Sequence, residues 1–224
     1  MGVDLSRIDG TASARLAQLV AARICHDLSS PLGGLGAALG EAAEDPSALE
    51  LAQDAALVLR QRLALFRAAW GGQPAPLTHA AVRDLAGGLP NAARLHLELD
   101  SLAPTPHFAP TAAPVVASAL LLAAESLPGG GMLALAGRPD GTVVLSIAGA
   151  RAAWPAGLGV MLAHAEAAWE AIAALDGAAG LRTLPAPMTA LLAHAAGVRA
   201  ALLLAAQAEQ LPPLLLDFSA VRSV

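Results

Sequence analysis

The chain has no lysine; all 13 of its basic side chains are arginine. That excludes a P-loop lysine, a Schiff-base lysine and the lysine of a protein-kinase site. There is one cysteine, Cys25, so no disulfide closes within the chain and no thiolate zinc cluster forms. A lone thiol fits a reducing compartment, and the expected location is the cytoplasm. Tyrosine is absent, and Phe and Trp number three each. The core must therefore come from Ala and Leu, in helices that are thin and closely packed. Positive charge is also in deficit: a net charge of -5 argues against a nucleic-acid surface. Long apolar runs are missing as well, despite a mean hydropathy of +0.58. The longest uncharged apolar run, Ala112 to Ala124, contains Pro114 and Ser118 and is too short for a bilayer, which takes about 20 residues. Met188 to Ala206 is interrupted by His194 and Arg199, and the opening residues, Met1 to Thr11, are polar and mixed rather than a signal peptide. What remains is a chain with no membrane partner, 56% apolar, with enough hydrocarbon for a wide buried interface.

The stretch from Arg23 to Gly34, RICHDLSSPLGG, lies inside a long helical pattern. Ala14, Ala17, Ala21, Ile24, Leu28, Leu32, Leu35 and Leu39 recur at three- and four-residue steps and form one stripe. His26 points away from that stripe, toward solvent. Arg23, Ser29 and Ser30 lie one turn from it and Gly33 two turns on. A solitary histidine on a polar face is ordinarily just solvated, but three features single this one out. Asp27 follows at once and can orient an imidazole. Pro31 removes a helix hydrogen bond and invites a kink. Gly33, Gly34 and Gly36 leave little bulk nearby, so another protein can approach closely.

Residues 11–43 read as the first helix. Glu44-Asp45-Pro46-Ser47 is a turn, in which Asp45 caps the next helix with Pro46 at its first position, or Ser47 and Glu50 form a capping box. The second helix runs to Trp70 with a heptad-like seam of Leu49, Ala52, Ala56, Leu59, Leu63, Phe66 and Trp70. Gly71-Gly72 stop it, and the short turn makes an antiparallel hairpin. Two helices alone bury too little, so the hairpin is expected to pair with a second copy as a four-helix bundle; cover by the rest of the chain is the alternative.

Gln73-Pro74-Ala75-Pro76 is a stiff linker and the best boundary. It divides residues 1–72, the hairpin, from residues 77–224. Beyond it come a short helix at 78–87, a half-buried strand at 94–100 and an apolar buried helix at 111–127. Two strands follow at 132–137 and 142–148, joined through Arg138-Pro139-Asp140-Gly141, whose Asp-Gly is a turn signal. Helices are expected at 158–175 and 187–196, and a closing strand pair at 198–205 and 211–218. Helices grouped on a largely antiparallel sheet make the class α+β.

A helical hairpin bearing His-Asp-x-x-x-Pro ahead of such a domain resembles sensor histidine kinases, and more closely the ChpT-type bacterial histidine phosphotransferases. Arg23-Ile24-Cys25-His26-Asp27-Leu28, then Ser30-Pro31 and Gly33, carry the likeness, with Leu127-Pro128-x-Gly-Gly as a weaker match. The resemblance implies a dimerising phosphoacceptor hairpin followed by a histidine-kinase ATPase-like α/β sandwich. The sandwich departs from an active kinase in two places. The helix Ala117 to Glu125 has no Asn to hold magnesium, and the run from Ser146 to Trp154 has no Asp-x-Gly-x-Gly to read adenine. Glu125 reads as a polar residue at the end of a buried helix. The expected function is a phosphorelay through His26 between receiver-domain aspartates, those of a hybrid histidine kinase and of response regulators. The chain would have no cofactor of its own, and Mg²⁺ would come from the receiver. His26 and Asp27 would carry the chemistry, and Arg23, Ser30, Gly33 and Gly34 would meet the partner, with Arg60, Arg62 and Arg67 adding contacts to an acidic rim. His79, His96, His107, His164 and His194 show no ligand spacing. An active kinase and a non-catalytic dimeric adaptor are the competing readings.

Overall fold

The computed structural model describes residues 10–72, 75–99, 101, 107–138, 141–205 and 210–220. Two long helices, α1 (Gly10–Glu41) and α2 (Pro46–Trp70), form the hairpin. Asp45 settles the turn chemistry: it is the N-cap of α2 and accepts from the Ser47 amide at 2.8 Å, with Pro46 in the first turn. The glycine-rich half of α1 stays helical, and the helix continues through Pro31.

The chain then builds a strand β1 (Leu77–Thr78), helix α3 (His79–Ala86), strands β2 (Leu95–Glu98) and β3 (His107–Phe108), and helix α4 (Ala113–Glu125). Strands β4 (Gly131–Gly137) and β5 (Thr142–Ala148) are followed by helices α5 (Leu158–Ala163), α6 (Ala165–Ala174), α7 (Gly177–Thr183) and α8 (Pro185–Ala196). Strands β6 (Arg199–Leu202) and β7 (Leu214–Asp217) close the sheet. The sheet order is β2-β4-β5-β7-β6, antiparallel except for the parallel pair β2–β4. Leu133, Leu135, Val143, Leu145, Leu214 and Leu216 alternate onto one face and meet α4, which is apolar but for Ser118 and Glu125. The class is α+β with a mixed five-stranded sheet.

One expectation needs correction, two elements were not foreseen, and one apolar stripe is left partly open. The helix expected over 158–175 is two helices, because His164 takes an extended backbone (φ -135°, ψ 117°). Helix α7, with no buried side chain of its own, had no apolar period to reveal it. The two-residue ladder β1–β3 was also unforeseen. The α1 stripe is only partly covered: Ile24, Leu28 and Leu35 are half-buried, while Ala14, Ala17, Ala21, Leu32 and Leu39 are exposed. The Pro139-Asp140 turn and the Gln73-Pro74 part of the linker lie outside the described residues.

The base of the hairpin is built into the sandwich. Leu65, Phe66 and Ala69 belong to the same core as α4 and the sheet. Phe66 stacks on Trp70 at 5.4 Å, and Trp70 Nε1 donates to Ser118 Oγ on α4 at 3.4 Å. On the other side Leu19 packs with Ile172, Leu184 and Met188. The far half of the hairpin instead leaves Leu32, Leu39, Leu49, Leu51, Leu57, Val58 and Leu63 exposed. No helix among the described residues is long and apolar enough to cross a membrane.

Candidate functional site: a histidine on the wall of a polar cleft

His26 stands where the hairpin meets the sandwich, on the wall of an open cleft of about 650 Å³. Helix α1 supplies Arg23, His26 and Asp27, and α2 supplies Arg62. The sandwich supplies Pro90 and Asn91 before β2, Leu122 and Glu125 at the end of α4, Ala153 and Pro155 after β5, and Arg182 and Thr183 from α7.

The imidazole is about half exposed (52%), whereas the neighbouring Asp27 carboxylate is 9% exposed. Nδ1 of His26 lies 3.0 Å from Asp27 Oδ1. An ionised carboxylate can only accept, so Nδ1 carries the proton and donates. In that tautomer Nε2 is the nitrogen with a free lone pair, on a ring that is half exposed.

Asp27 is itself held. Its Oδ2 accepts from Arg23 Nε at 2.8 Å, and Arg23 Nη2 binds Glu125 Oε1. Arg23 Nη1 donates to the Leu181 carbonyl at 2.8 Å. Arg23 was expected on the partner-facing surface, but it is 1% exposed and fully engaged inside the chain. At i, i+4 it lies over Asp27 on the inward edge of α1, and Glu125 of α4 and the Leu181 carbonyl of α7 take its terminal nitrogens. Among the described residues no buried side-chain nitrogen or oxygen lacks a partner.

Pro31 has a specific consequence. Lacking an N–H, it cannot bond the carbonyl four residues earlier, which is that of Asp27. Arg62 Nη1 donates to that carbonyl at 3.0 Å. A second guanidinium is thereby fixed beside His26, and the orphaned acceptor is satisfied. Arg60 and Arg67, in contrast, are exposed on the outside of α2.

Beyond the ring, α1 presents a flat surface. Ser30, Gly33 and Gly34 are all exposed. A methyl group placed on Gly33, Gly34 or Gly36 meets nothing within 4 Å. The Pro-x-Gly-Gly turn, by contrast, is crowded by backbone. At Gly130 (φ +82°) a Cβ would lie 2.4 Å from the Arg94 carbonyl oxygen, and at Gly131 (φ +145°) 2.3 Å from that of Ala148. These glycines are required where β4 leaves α4 and squeezes between its neighbours. The run after β5 folds back onto the same corner: Ala153 donates its amide to the Ser126 carbonyl, and Trp154 Nε1 donates to that of Pro212 at 2.7 Å.

The chain shares its fold with a bacterial phosphotransferase of known structure. The two are 19% identical, the match covers 96% of this chain and 98% of the other, and the TM-score is 0.62. A scan of family models and a search of curated proteins each found no match.

His26 and Asp27 are in contact, and Ser30, Gly33 and Gly34 lie exposed on the same helix. Sequence reasoning named Arg62 and Glu125 without placing either beside His26, and it did not single out Asn91 or the α7 residues Leu181 and Arg182. Glu125 carried a usable signal: it is the one charge that closes an otherwise apolar helix.

Proposed function

We propose that this chain is a histidine phosphotransferase that relays a phosphoryl group between receiver-domain aspartates through His26. The observation that carries the reading is the single-sided restraint on the ring: Asp27 takes Nδ1, and Nε2 is left accessible. The Nε2 lone pair attacks the phosphorus of a receiver phosphoaspartate. The N–P bond forms as the acyl P–O bond breaks, and the departing carboxylate keeps the electron pair. The ring then carries positive charge, with its Nδ1 proton still donated to Asp27, whose negative charge stabilises it. The reverse step delivers the group to the aspartate of a second receiver. Such transition states are loose, so holding the reactants in line and neutralising the phosphoryl oxygens supply most of the rate. Arg62 and Arg182 are the guanidiniums of the cleft suited to that neutralisation, since Arg23 is occupied. The receiver brings its own Mg²⁺ and acidic pocket.

Two parts of the reading concern assembly. The exposed leucines of the hairpin are more apolar surface than a monomer usually leaves uncovered. They suit a homodimeric four-helix bundle, with the hairpin as the dimerising phosphoacceptor unit. The sandwich would keep the kinase-like shape without nucleotide, its glycine pair serving packing and its post-β5 run holding no carboxylate. Incubation with a phosphorylated receiver domain tests the function. Acid-labile label on the wild type and none on His26→Ala is the expected result.

A further inference from the structure

The residues around His26 divide into an exposed set and a buried one, and the buried set has a job that the phosphotransfer reading does not use. Arg23 joins three elements: Asp27 on its own helix, Glu125 at the end of α4, and the Leu181 carbonyl on α7. Two of those three belong to the sandwich. We propose that Glu125 is a positioning residue for His26, acting through Arg23 and Asp27 to lock the imidazole in its Nδ1–H form, so that the sandwich sets the state of the acceptor. The inference rests on the phosphotransfer reading only for its consequence for rate; the locked ring is a property of the free protein.

Asp27 fixes the ring because it is itself constrained. A carboxylate next in sequence to a histidine on a helix has several rotamers, most of them in water, and only one meets Nδ1. Asp27 is held in that one because its second oxygen is bonded to the Arg23 Nε. Arg23, a long side chain with many rotamers, is held because its two terminal nitrogens are bonded to Glu125 and to the α7 backbone. Nε donates to Asp27, Nη1 to the Leu181 carbonyl and Nη2 to Glu125, with Nη2 also 2.8 Å from Asp27 Oδ2, so the planar fork transmits orientation as well as charge. A lysine could not do this with one ammonium. The charged groups that face the ring across the cleft are Asp27, Glu125, Arg23, Arg62 and Arg182; of these only Asp27 is bonded to it. The tautomer is therefore decided by whether Asp27 stays in place, and Asp27 stays in place while Arg23 does.

Helix α7 explains itself in the same terms. It has no fully buried side chain and only Leu181 packs partly against the Leu19 cluster, yet it brings the Leu181 carbonyl to Arg23 and Arg182 to the rim.

The test reads the ring directly. Nitrogen-15 spectra of the full-length protein, labelled at histidine and assigned with His26→Ala, report which nitrogen carries the proton. In the wild type, Nδ1 is protonated and Nε2 is not. Glu125→Gln keeps the shape but weakens the hold on Arg23, and the His26 signals move toward a mixture of tautomers. The paired variant Arg23→Met with Glu125→Leu removes both buried charges together, so that the site stays filled, and gives the same mixture. Glu125→Asp, which keeps a carboxylate, restores part of the locked form. In receiver-dependent labelling, Glu125→Gln slows the first transfer about tenfold, the order expected for a nucleophile no longer held in line. A folded Glu125→Gln protein and a folded paired variant whose His26 signals match the wild type overturn the proposal, whatever the transfer rate. A wild type that takes no label from any receiver, while Glu125→Gln still shows the tautomer shift, overturns the function and leaves the positioning role standing.

Discussion

Replacing Arg23 by Met tests whether α1 is pinned to the sandwich by a buried cation. The substitution keeps a long apolar stem and deletes the guanidinium. It strands two carboxylates, those of Asp27 and Glu125, whose side chains are 9% and 17% exposed. It also strands the Leu181 carbonyl. Removing one member of a buried ion pair costs about 3–5 kcal/mol, because the survivor is left charged and dry. Both carboxylates keep some access to water and Asp27 keeps His26, which places the expected loss at the lower end, about 3 kcal/mol. Against a total stability of about 5–15 kcal/mol that is a large share. With a urea slope of about 2–3 kcal/mol per molar, the midpoint falls by about 1–1.5 M. Equilibrium urea denaturation followed by circular dichroism measures it. Arg60→Met, at an exposed site on α2, serves as the control and shifts the midpoint little. Adding Glu125→Leu to Arg23→Met recovers part of the loss, since one uncompensated charge is removed. A loss below about 1 kcal/mol in the single variant, within the range of a surface ion pair, would refute the reasoning.

Three further outcomes follow from other parts of the molecule. Gly33→Trp keeps the fold, because the site opens into free space. It blocks receiver docking, so labelling falls at least tenfold, by about the effect of misplacing the reactants; a folded variant that transfers normally removes Gly33 from the docking surface. Leu57→Glu, on the exposed face of α2, converts a dimer to a monomer in sedimentation velocity, and an unchanged mass at equal concentration contradicts the bundle. The third outcome concerns Asp217, which is held down to about 2 by the Ser219 hydrogen bonds first and by Arg199 after them. A carboxylate lowered in the folded state stabilises fully above its unfolded value, about 3.9, and the contribution fades as pH falls toward 2. The gap in urea midpoint between wild type and Asp217→Asn should therefore be widest at pH 7 and narrow between pH 4 and pH 2. A gap that does not change with pH excludes the carboxylate as its source.

How much of this was legible in the sequence depended on period. The hairpin and the strands of the main sheet announced themselves, because Leu95-x-Leu97-x-Leu99 and the three- and four-residue steps of α1 and α2 have only one structural solution each. The Asp45 cap was readable from side-chain chemistry. The break at His164 was not, since Leu158, Met161, Leu162, Ala165, Ala168 and Ile172 run at helical spacing straight across it. The inward turn of Arg23 was hidden for a different reason. Arginine on a helix is ordinarily solvated, and its burial depends on a carboxylate, Glu125, more than a hundred positions away, and on the backbone of a short helix with no fully buried side chain. The site was thus half legible: the reacting ring and its immediate neighbour are local in sequence, and the residues that hold them are not.

The account stands on Nε2 of His26 as the atom that receives the phosphoryl group. The direct measurement is phosphorus-31 and nitrogen-15 spectroscopy of the intact protein after incubation with a phosphorylated receiver domain and Mg²⁺. It predicts one phosphoramidate per chain, on Nε2 of His26, lost on addition of a second, unphosphorylated receiver and absent from His26→Ala. No phosphoramidate from any phosphorylated receiver, or one that persists in His26→Ala, would contradict it.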